Sequence, residues 1–163
     1  MLLHHLTLFD QTAELLSSVE RTLFAEIMAG RSPSELKSSY LTQFGITARH
    51  FNACLVQVEG KISSLKKIQK SQIDYLPSLL KNLETRKKKP FQHIQKLKRK
   101  LERLESDQAT GKVSCCFGGK KLFRAQFNLD EAGYFDHAEW KLEWTRARSN
   151  KFFLLGSRMK HPE

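Results

Sequence analysis

Apolar residues recur at helical spacing near the start of the chain. Between residues 10 and 28 an i, i+3, i+4 pattern places them on one face of a helix, at Ala13, Leu16, Val19, Leu23 and Ile27. The pattern predicts an amphipathic helix over residues 10–28. Gly30 is expected to end it, because glycine readily adopts the left-handed conformation that follows a helix.

The sequence Ser32-Pro33-Ser34-Glu35 predicts the start of a second helix. Serine is a preferred N-cap residue, proline is tolerated at the first helical position, and glutamate three residues after the cap completes a capping box. This helix presents its apolar side chains at Leu36, Tyr40 and Leu41, and it ends before Gly45.

A third helix is predicted to begin after Thr47. Its apolar residues alternate at spacings of four and three, which is typical of a helix that packs along its length against a partner: Phe51, Leu55, Val58, Ile62 and Leu65. Pro77 interrupts this pattern. It fits either a new helix capped by Asp74 or a kink, because proline is tolerated in a first turn but removes a hydrogen bond inside a helix.

A second apolar stripe follows Pro90, at Ile94, Leu97, Leu101 and Leu104. Two long helices joined around Lys89-Pro90 would form an antiparallel helical hairpin. A single kinked helix through this region is the alternative.

The pattern changes after Glu105. Val113, Cys115 and Phe117 alternate with Ser114 and Cys116, as in a strand. The apolar run over residues 152–155 predicts a second, buried strand, and Gly118-Gly119 predicts a turn or bulge between the two.

A short helix is predicted between these two strands. Residues 136–139 offer a capping pattern, and the helix that follows contains Trp140 and Trp144 on one face. The two tryptophans are expected to anchor a core, with a stacking platform as the alternative. We therefore predict a mainly α chain, with a helical part over residues 1–108 and a small α+β part over residues 109–163.

The charge of the chain is concentrated in one segment. The sequence has 28 Lys and Arg against 17 Asp and Glu, a net charge of +11, and residues 81–103 carry ten basic and two acidic residues, a net charge of +8. On a helical wheel one continuous stripe, here named the basic stripe, is formed by Lys96, Arg99, Lys100 and Arg103. It lies on a different face from the apolar stripe. A basic face with few acids favours contact with a phosphate backbone.

The run Arg86, Lys87, Lys88 and Lys89 extends this basic character to the predicted hairpin tip. Two other interpretations of the basic segment stay open. It could be the solvated face of a structural hairpin, although such faces usually mix lysine with glutamate. It could also bind an anionic membrane surface, for which the apolar stripe is narrow.

A second basic motif, residues 117–124, has the sequence Phe-Gly-Gly-Lys-Lys-Leu-Phe-Arg. Glycines beside lysines let backbone N–H groups and ammonium groups approach a phosphate together, so we expect nucleic-acid contacts from Lys120, Lys121 and Arg124. The motif is not a Walker A loop, because the upstream glycine spacing is missing and no Ser or Thr follows the lysines. Phe117 and Phe123 fit stacking on bases or a place in the core equally well.

Neither a catalytic group nor a metal site is predicted. The histidines have no partners at triad or metal spacing, and the three cysteines have no zinc-ligand spacing. The adjacent Asp130 and Glu131 fit helix capping better than acid catalysis. His50 and Cys54 are expected to be a surface histidine and a core cysteine. We expect no cofactor, no membrane segment and a reducing, cytoplasmic location.

Several stretches of the sequence resemble one family. They are residues 18–25 (Ser-Val-Glu-Arg-Thr-Leu-Phe-Ala), residues 44–53 (Phe-Gly-Ile-Thr-Ala-Arg-His-Phe-Asn-Ala) and residues 116–127 (Cys-Phe-Gly-Gly-Lys-Lys-Leu-Phe-Arg-Ala-Gln-Phe), and residues 147–157 fit as well. From about residue 15 to residue 157 the chain resembles the N-terminal region of TnpB-related transposon proteins.

The resemblance implies an RNA-guided nuclease architecture related to type V CRISPR effectors. In that architecture a helical recognition lobe is inserted into a small β-rich wedge domain, and a RuvC-type nuclease domain follows. Residues 1–108 would then be recognition lobe and residues 109–163 an incomplete wedge. The basic hairpin would face guide RNA or a guide–target heteroduplex, read through shape and backbone. The implied partners are structured guide-type RNA, target DNA in second place, and a separate chain that carries the nuclease domain.

Two departures accompany the resemblance. The family's leading strand is not recognisable before Leu6, and the sequence stops at Glu163, before the carboxylates of a RuvC domain would appear. We therefore expect nucleic-acid binding without catalysis. The alternative hypothesis is a structural module whose helical hairpin mediates protein–protein association.

Overall fold

The computed structural model describes residues 2–86 and 90–149, with side chains from residue 9 onward in those ranges. The described residues are mainly helical and include no strand, which confirms the mainly α class. The helices are α1 (Leu2–Met28), α2 (Pro33–Phe44), α3 (Ala48–Glu84), α4 (Phe91–Ala109), α5 (Lys120–Ala125), α6 (Leu129–Ala132) and α7 (His137–Ser149). The chain divides into two compact units, residues 1–58 together with 116–163, and residues 59–115.

Helix α1 confirms the first predicted helix and begins earlier, at Leu2. It ends where the sequence predicts. The N–H of Gly30 donates to the carbonyl of Ile27 at 3.0 Å and the N–H of Arg31 donates to that of Glu26 at 3.1 Å, which is a Schellman motif. Gly30 has a φ of +90°, a conformation that a side chain would strain.

Helix α2 begins at the predicted position, with Ser32 as N-cap and Pro33 as first residue, and it ends at Gly45 in the left-handed region. The expected capping-box hydrogen bond is wrong. The Ser32 side chain makes no bond to the helix backbone, because its Oγ lies 2.7 Å from Oγ of Ser34 instead. Proline geometry and backbone bonds therefore define this start.

The core of the first unit lies where the first three helices meet. Its members are Val19, Leu23 and Phe24 of α1, Leu36 and Tyr40 of α2, and Phe51, Cys54 and Val58 of α3. The rings of Tyr40 and Phe51 meet edge to face at 5.7 Å, and Cys54 Sγ lies 3.8 Å from the carbonyl oxygen of Leu16. Cys54 is thus the core cysteine that the sequence predicts.

The strand predicted over residues 113–117 is wrong. This segment has no ladder partner in the part of the chain that the structure describes, and an extended segment needs paired neighbours to be stable. The aromatic residue at its end packs against a helix instead of a neighbouring strand: the Phe117 ring meets the Phe24 ring of α1 edge to face at 5.5 Å. Helices α5 and α6 follow in place of a small sheet, so the α+β character is not seen there. The second predicted strand, residues 152–155, lies outside the described residues.

Helix α7 confirms the capping prediction. The N–H of Glu139 donates to Asp136 Oδ1 at 2.8 Å, and Glu139 Oε2 accepts from the N–H of Phe135 at 2.8 Å. Trp140 is buried, its Nε1 donates to the carbonyl of Leu122 at 2.8 Å, and its ring stacks on Trp144 at 5.8 Å. Trp140 therefore anchors the core, as expected.

The second unit contains the antiparallel helical hairpin that the sequence predicts. Leu80 and Leu83 of α3 form a buried cluster with Ile94 of α4, and the partly buried side chains around it are Leu79, Leu97 and Leu101. The kinked single helix at Pro90 is therefore excluded. Helix α3 runs unbroken through exposed Pro77, so of the two alternatives at this residue the new helix capped by Asp74 is excluded. Pro77 removes one backbone donor from the interior of α3.

A buried glutamine lies in the hairpin seam, the row of inward-facing positions along which α3 and α4 pack. Ile62, Gln69, Leu76 and Leu83 recur at intervals of seven on the buried side of α3, and Gln69 is only 7% exposed. Its Nε2 donates to the carbonyl oxygens of Leu104, at 3.1 Å, and Lys112, at 3.4 Å. A polar group at a seam position stabilises one register over its neighbours, because another register would leave it unpaired.

We predict that Gln69→Ala lowers the free energy of unfolding by about 1–3 kcal/mol, because the buried Gln69 amide and its hydrogen bonds to two backbone carbonyl oxygens are lost. Urea unfolding followed by circular dichroism measures the change. The matched control is Gln108→Ala, an exposed glutamine of α4, which should stay within about 0.5 kcal/mol of wild type. Equal free energies of unfolding for the two variants would show that Gln69 does not stabilise the hairpin.

A second prediction concerns the turn before α7. Tyr134 Oη donates to Glu143 Oε2 at 2.6 Å, and this bond raises the pKa of Tyr134 to about 12. The raised pKa means that the bond stabilises the fold below the ordinary tyrosine pKa near 10 and that this contribution is lost as the pH approaches 12. Ultraviolet titration of tyrosinate should show a late transition that Tyr134→Phe removes and Glu143→Gln moves to lower pH. Burial also raises the pKa of Tyr40, so the assignment rests on the difference between the two titration curves. Loss of amplitude near pH 10 rather than near 12 in Tyr134→Phe would contradict it.

Candidate nucleic-acid interface

Helix α4 presents two distinct faces. Ile94 is 6% exposed and packs into the hairpin seam, whereas Lys96, Arg99 and Arg103 are exposed and Lys100 is half-buried. The seam takes the apolar face inward, so the basic stripe faces outward along the length of the helix. The structure therefore brings together the four residues that the sequence groups on one helical face.

The charges of the basic stripe are not matched by acids. Among the described residues none of the four forms an ion pair, while their neighbour Lys98 pairs with Glu84 at 2.8 Å. Such a half-exposed pair adds little stability, but it occupies the charge of Lys98. The charge of the basic stripe is therefore not offset by an ion pair within the described residues.

The Lys98–Glu84 pair also shows which flanks of the two helices adjoin. Lys98 follows the seam residue Leu97 by one position, and Glu84 follows the seam residue Leu83 by one position. In this antiparallel pair, residues one position after the seam on either helix thus share a flank. Residues one position before the seam share the opposite flank.

Two exposed apolar residues of α3 lie on that opposite flank. Ile68 and Tyr75 precede the seam residues Gln69 and Leu76, and they are 53% and 59% exposed. Lys96 and Lys100 precede their own seam residues Leu97 and Leu101, so they share this flank. Tyr75 is not among the residues predicted from the sequence, and the seven-residue seam register is the signal that would have found it. An exposed aromatic ring beside lysines suits a nucleobase.

The hairpin unit carries most of the charge of the chain. Residues 59–115 contain 15 Lys or Arg and 6 Asp or Glu, a net charge of +9, whereas the remaining residues carry a net charge of +2. Arg86 lies exposed just after α3. The neighbouring predicted contacts Lys87, Lys88 and Lys89 lie outside the described residues.

The second predicted contact group belongs to the first unit. Lys120, Lys121 and Arg124 are exposed on the short helix α5. The two flanking rings pack rather than stand free: Phe117 meets Phe24, and Phe123 lies 5.9 Å from Trp144 and 6.0 Å from Phe127. Phe123 is still 43% exposed. The lysines are therefore the more accessible part of the motif.

The described residues contain no group of three His, Cys, Asp or Glu side chains that could hold a metal ion. In the same residues, no helix combines the length and apolar character that crossing a bilayer requires. A groove of about 700 Å³ lies between α1 and α7, and its lining mixes acids with bases: Asp10, Glu14, Lys141 and Arg146. This lining indicates no particular chemistry.

Comparison of the chain with protein-family models, with curated proteins and with solved structures finds no match.

The two glycines of the basic motif allow a matched test of the packing behind it. Gly118 and Gly119 both have positive φ, +91° and +95°, but a Cβ on Gly118 would lie 2.9 Å from Arg148 Cγ and from Trp144 Cζ3, whereas a Cβ on Gly119 would meet open space. Both Ala variants strain the backbone. Gly118→Ala should lower the free energy of unfolding by about 1–3 kcal/mol more, because it also overpacks.

Thermal unfolding followed by tryptophan fluorescence measures this difference. Trp144 lies at the clash, so its emission should shift in Gly118→Ala and not in Gly119→Ala. Equal free energies of unfolding and unshifted tryptophan emission in both variants would show that Gly118 is not packed closely against Arg148 and Trp144.

Proposed function

We propose that this chain is a nucleic-acid-binding helical lobe of a TnpB-like, RNA-guided system, which binds structured guide-type RNA and, second to it, target DNA. The observation that carries the proposal is the basic stripe, four outward cations without acid partners among the described residues, on a helix whose other face is packed into a seam. The resemblance of residues 116–127 to TnpB-related proteins supports the same conclusion.

The dimensions of the basic stripe suit a phosphate backbone. From Lys96 to Arg103 the helix rises roughly 10 Å, which compares with about three steps of one nucleic-acid strand at roughly 3.4 Å each. Arginine binds phosphate through a planar fork of N–H donors, and lysine adds a mobile point charge. The combination favours recognition of the backbone and its shape over reading of bases.

Structured RNA is the favoured ligand because the interface is a helix face. The major groove of A-form RNA is too deep and narrow for side chains to read, so proteins contact its backbone and its shallow minor groove. A straight basic face matches that mode. Tyr75, exposed on the same flank, would stack on an unpaired base beside the helix.

The membrane alternative has less support. A helix that lies in a membrane surface buries its apolar face among lipids, but the apolar face of α4 is already packed against Leu80 and Leu83. The alternative of a hairpin that associates with another protein has the same difficulty, because the seam that would drive association is filled within this chain.

We propose no catalytic role for this chain, and a separate chain would carry the nuclease domain. A complete enzyme would cleave nucleic acid on its own with magnesium or manganese. Incubation of the purified chain with labelled RNA and DNA and either metal tests this directly, and turnover by the chain alone would refute the proposal of binding without catalysis.

We predict that replacing all four residues of the basic stripe by glutamine weakens binding to a structured RNA hairpin about 100-fold or more. Fluorescence anisotropy over a range of salt concentrations measures it. The slope of log affinity against log salt should fall by about 0.7–0.9 for each phosphate that the variant no longer neutralises. Circular dichroism should be unchanged, since the seam is not altered.

The matched control removes the same charge from the other helix of the same unit. Lys66, Lys67, Lys70 and Lys81 are exposed on α3, and their joint replacement by glutamine should weaken RNA binding at least tenfold less. Equal losses in the two variants would mean that general charge, not the basic stripe, binds RNA. Unchanged affinity in the stripe variant, with self-association in sedimentation velocity, would favour the structural module.

A further inference from the structure

Two arginines of the first unit stand out because their donors are buried without partners. Arg21 lies on α1 and Arg148 on α7. Arg21 Nη1 and Arg148 Nε are both buried, and neither atom makes a hydrogen bond to any residue that the structure describes. Neither residue belongs to the basic stripe, which lies in the other unit. Each side chain as a whole is half-buried, although these two atoms are themselves buried.

The electrostatics of this pair are unfavourable. Burial lowers the pKa of Arg21, and the positive charge of Arg148 lowers it further, while Glu14 and Glu20 act in the opposite direction. An arginine nevertheless keeps its proton at neutral pH. The charges of the two half-buried arginines therefore repel each other, and the acids beside Arg21 only partly offset this repulsion.

Packing holds Arg148 in this position. Its guanidinium carbon lies 5.3 Å from the centre of the Trp144 ring, which itself stacks on Trp140. Gly118 also comes close to both side chains, since a Cβ there would lie 2.9 Å from Arg148 Cγ and 2.9 Å from Trp144 Cζ3. Arg148 therefore packs its stem beside Gly118 and its guanidinium over the Trp144 ring.

Buried donors without acceptors destabilise a protein by about 1–3 kcal/mol each, and more when the group is charged. Two such groups in one unit call for an acceptor that none of the described residues supplies, and a bound ion is one of the explanations for such atoms. An anion between the two guanidinium groups would accept from both and remove their repulsion.

We propose that Arg21 and Arg148 bind one phosphate group, either free inorganic phosphate or a phosphate of a nucleic-acid backbone. Phosphate fits better than a carboxylate. It presents oxygens in several directions, so that two guanidinium groups from different helices are served at once, and free phosphate carries a charge of about −1.5 to −2 that balances both cations. The Nε edge of Arg148 is one that commonly takes part in forked binding to phosphate.

The test uses the full chain and inorganic phosphate at constant ionic strength, with ³¹P NMR and isothermal titration calorimetry as direct readouts of binding. Wild type should bind one phosphate saturably. Arg148→Gln and Arg21→Gln should raise the Kd at least tenfold. Arg148→Lys keeps the charge but loses the fork, and it should also raise the Kd, which separates specific binding from simple charge attraction and provides a variant with less risk to folding.

The matched control is Arg146→Gln, an exposed arginine two residues away on the same helix, which should bind phosphate as wild type does. The proposal is overturned by absence of saturable phosphate binding in wild type, by wild-type affinity in Arg148→Gln and Arg148→Lys, or by an equal loss in Arg146→Gln. The basic-stripe variant should keep this site, so this inference and the proposed function fail independently.

A competition arm identifies the source of the phosphate. A short RNA with a 5′-hydroxyl contains only backbone phosphates. If it displaces inorganic phosphate from the wild-type chain at a lower concentration than phosphate itself requires, and does so less well from Arg148→Lys, the site takes a nucleic-acid backbone. If it fails to displace, the site takes free phosphate.

Discussion

Burial of Leu80 and Leu83 against Ile94 determines which face of α4 is exposed to solvent. Full burial of one such side chain contributes roughly 1.5–3 kcal/mol, so only one rotation of α4 about its axis is stable. That rotation fixes the direction of every other residue on the helix. Lys96, Arg99 and Arg103 are consequently turned outward. The charged surface is a consequence of the packing of α3 against α4, because burying a charged group without a partner is unfavourable.

The basic stripe and the Arg21–Arg148 pair differ in how far their charges are exposed to water. On α4 the cations stay in water, where each is stable alone and can exchange hydration for phosphate at small loss. Arg21 and Arg148 are instead half-buried, Arg148 against the Trp144 ring, and their buried donors have no acceptor among the described residues. The first arrangement suits contact with a long polyanion through many weak, salt-sensitive contacts. The second suits one small anion held by a few strong bonds, because low local dielectric strengthens them.

Local signals in the sequence were enough for α1, α2, α3, α4 and α7 and for most of their ends, but not for the short helices α5 and α6. Proline at position 33, glycine at 45 and the pair Asp136 and Glu139 act through neighbouring backbone groups, so they can be recognised without the fold. The strand expected at residues 113–117 failed because alternation describes a strand only when a partner is present. The basic stripe was also predictable, because its residues lie close together in the sequence on one helix. The Arg21–Arg148 pair was not, since 127 positions separate the two residues in the sequence and no periodic pattern links them.

Lys98 differs from its neighbours on α4 in having an acid partner. A hairpin that needed only solubility would pair its lysines across the helices, as Lys98 does with Glu84. One flank of the hairpin follows that rule. The other carries Lys96 and Lys100 with an exposed Tyr75 and, within the described ranges, no acid paired to either lysine. Leaving like charges unmatched on one flank weakens the fold slightly through repulsion, and an exposed ring adds nothing to solubility. Both features fit the contact with a polyanion that we propose for this flank, since exposed rings stack on bases beside basic side chains.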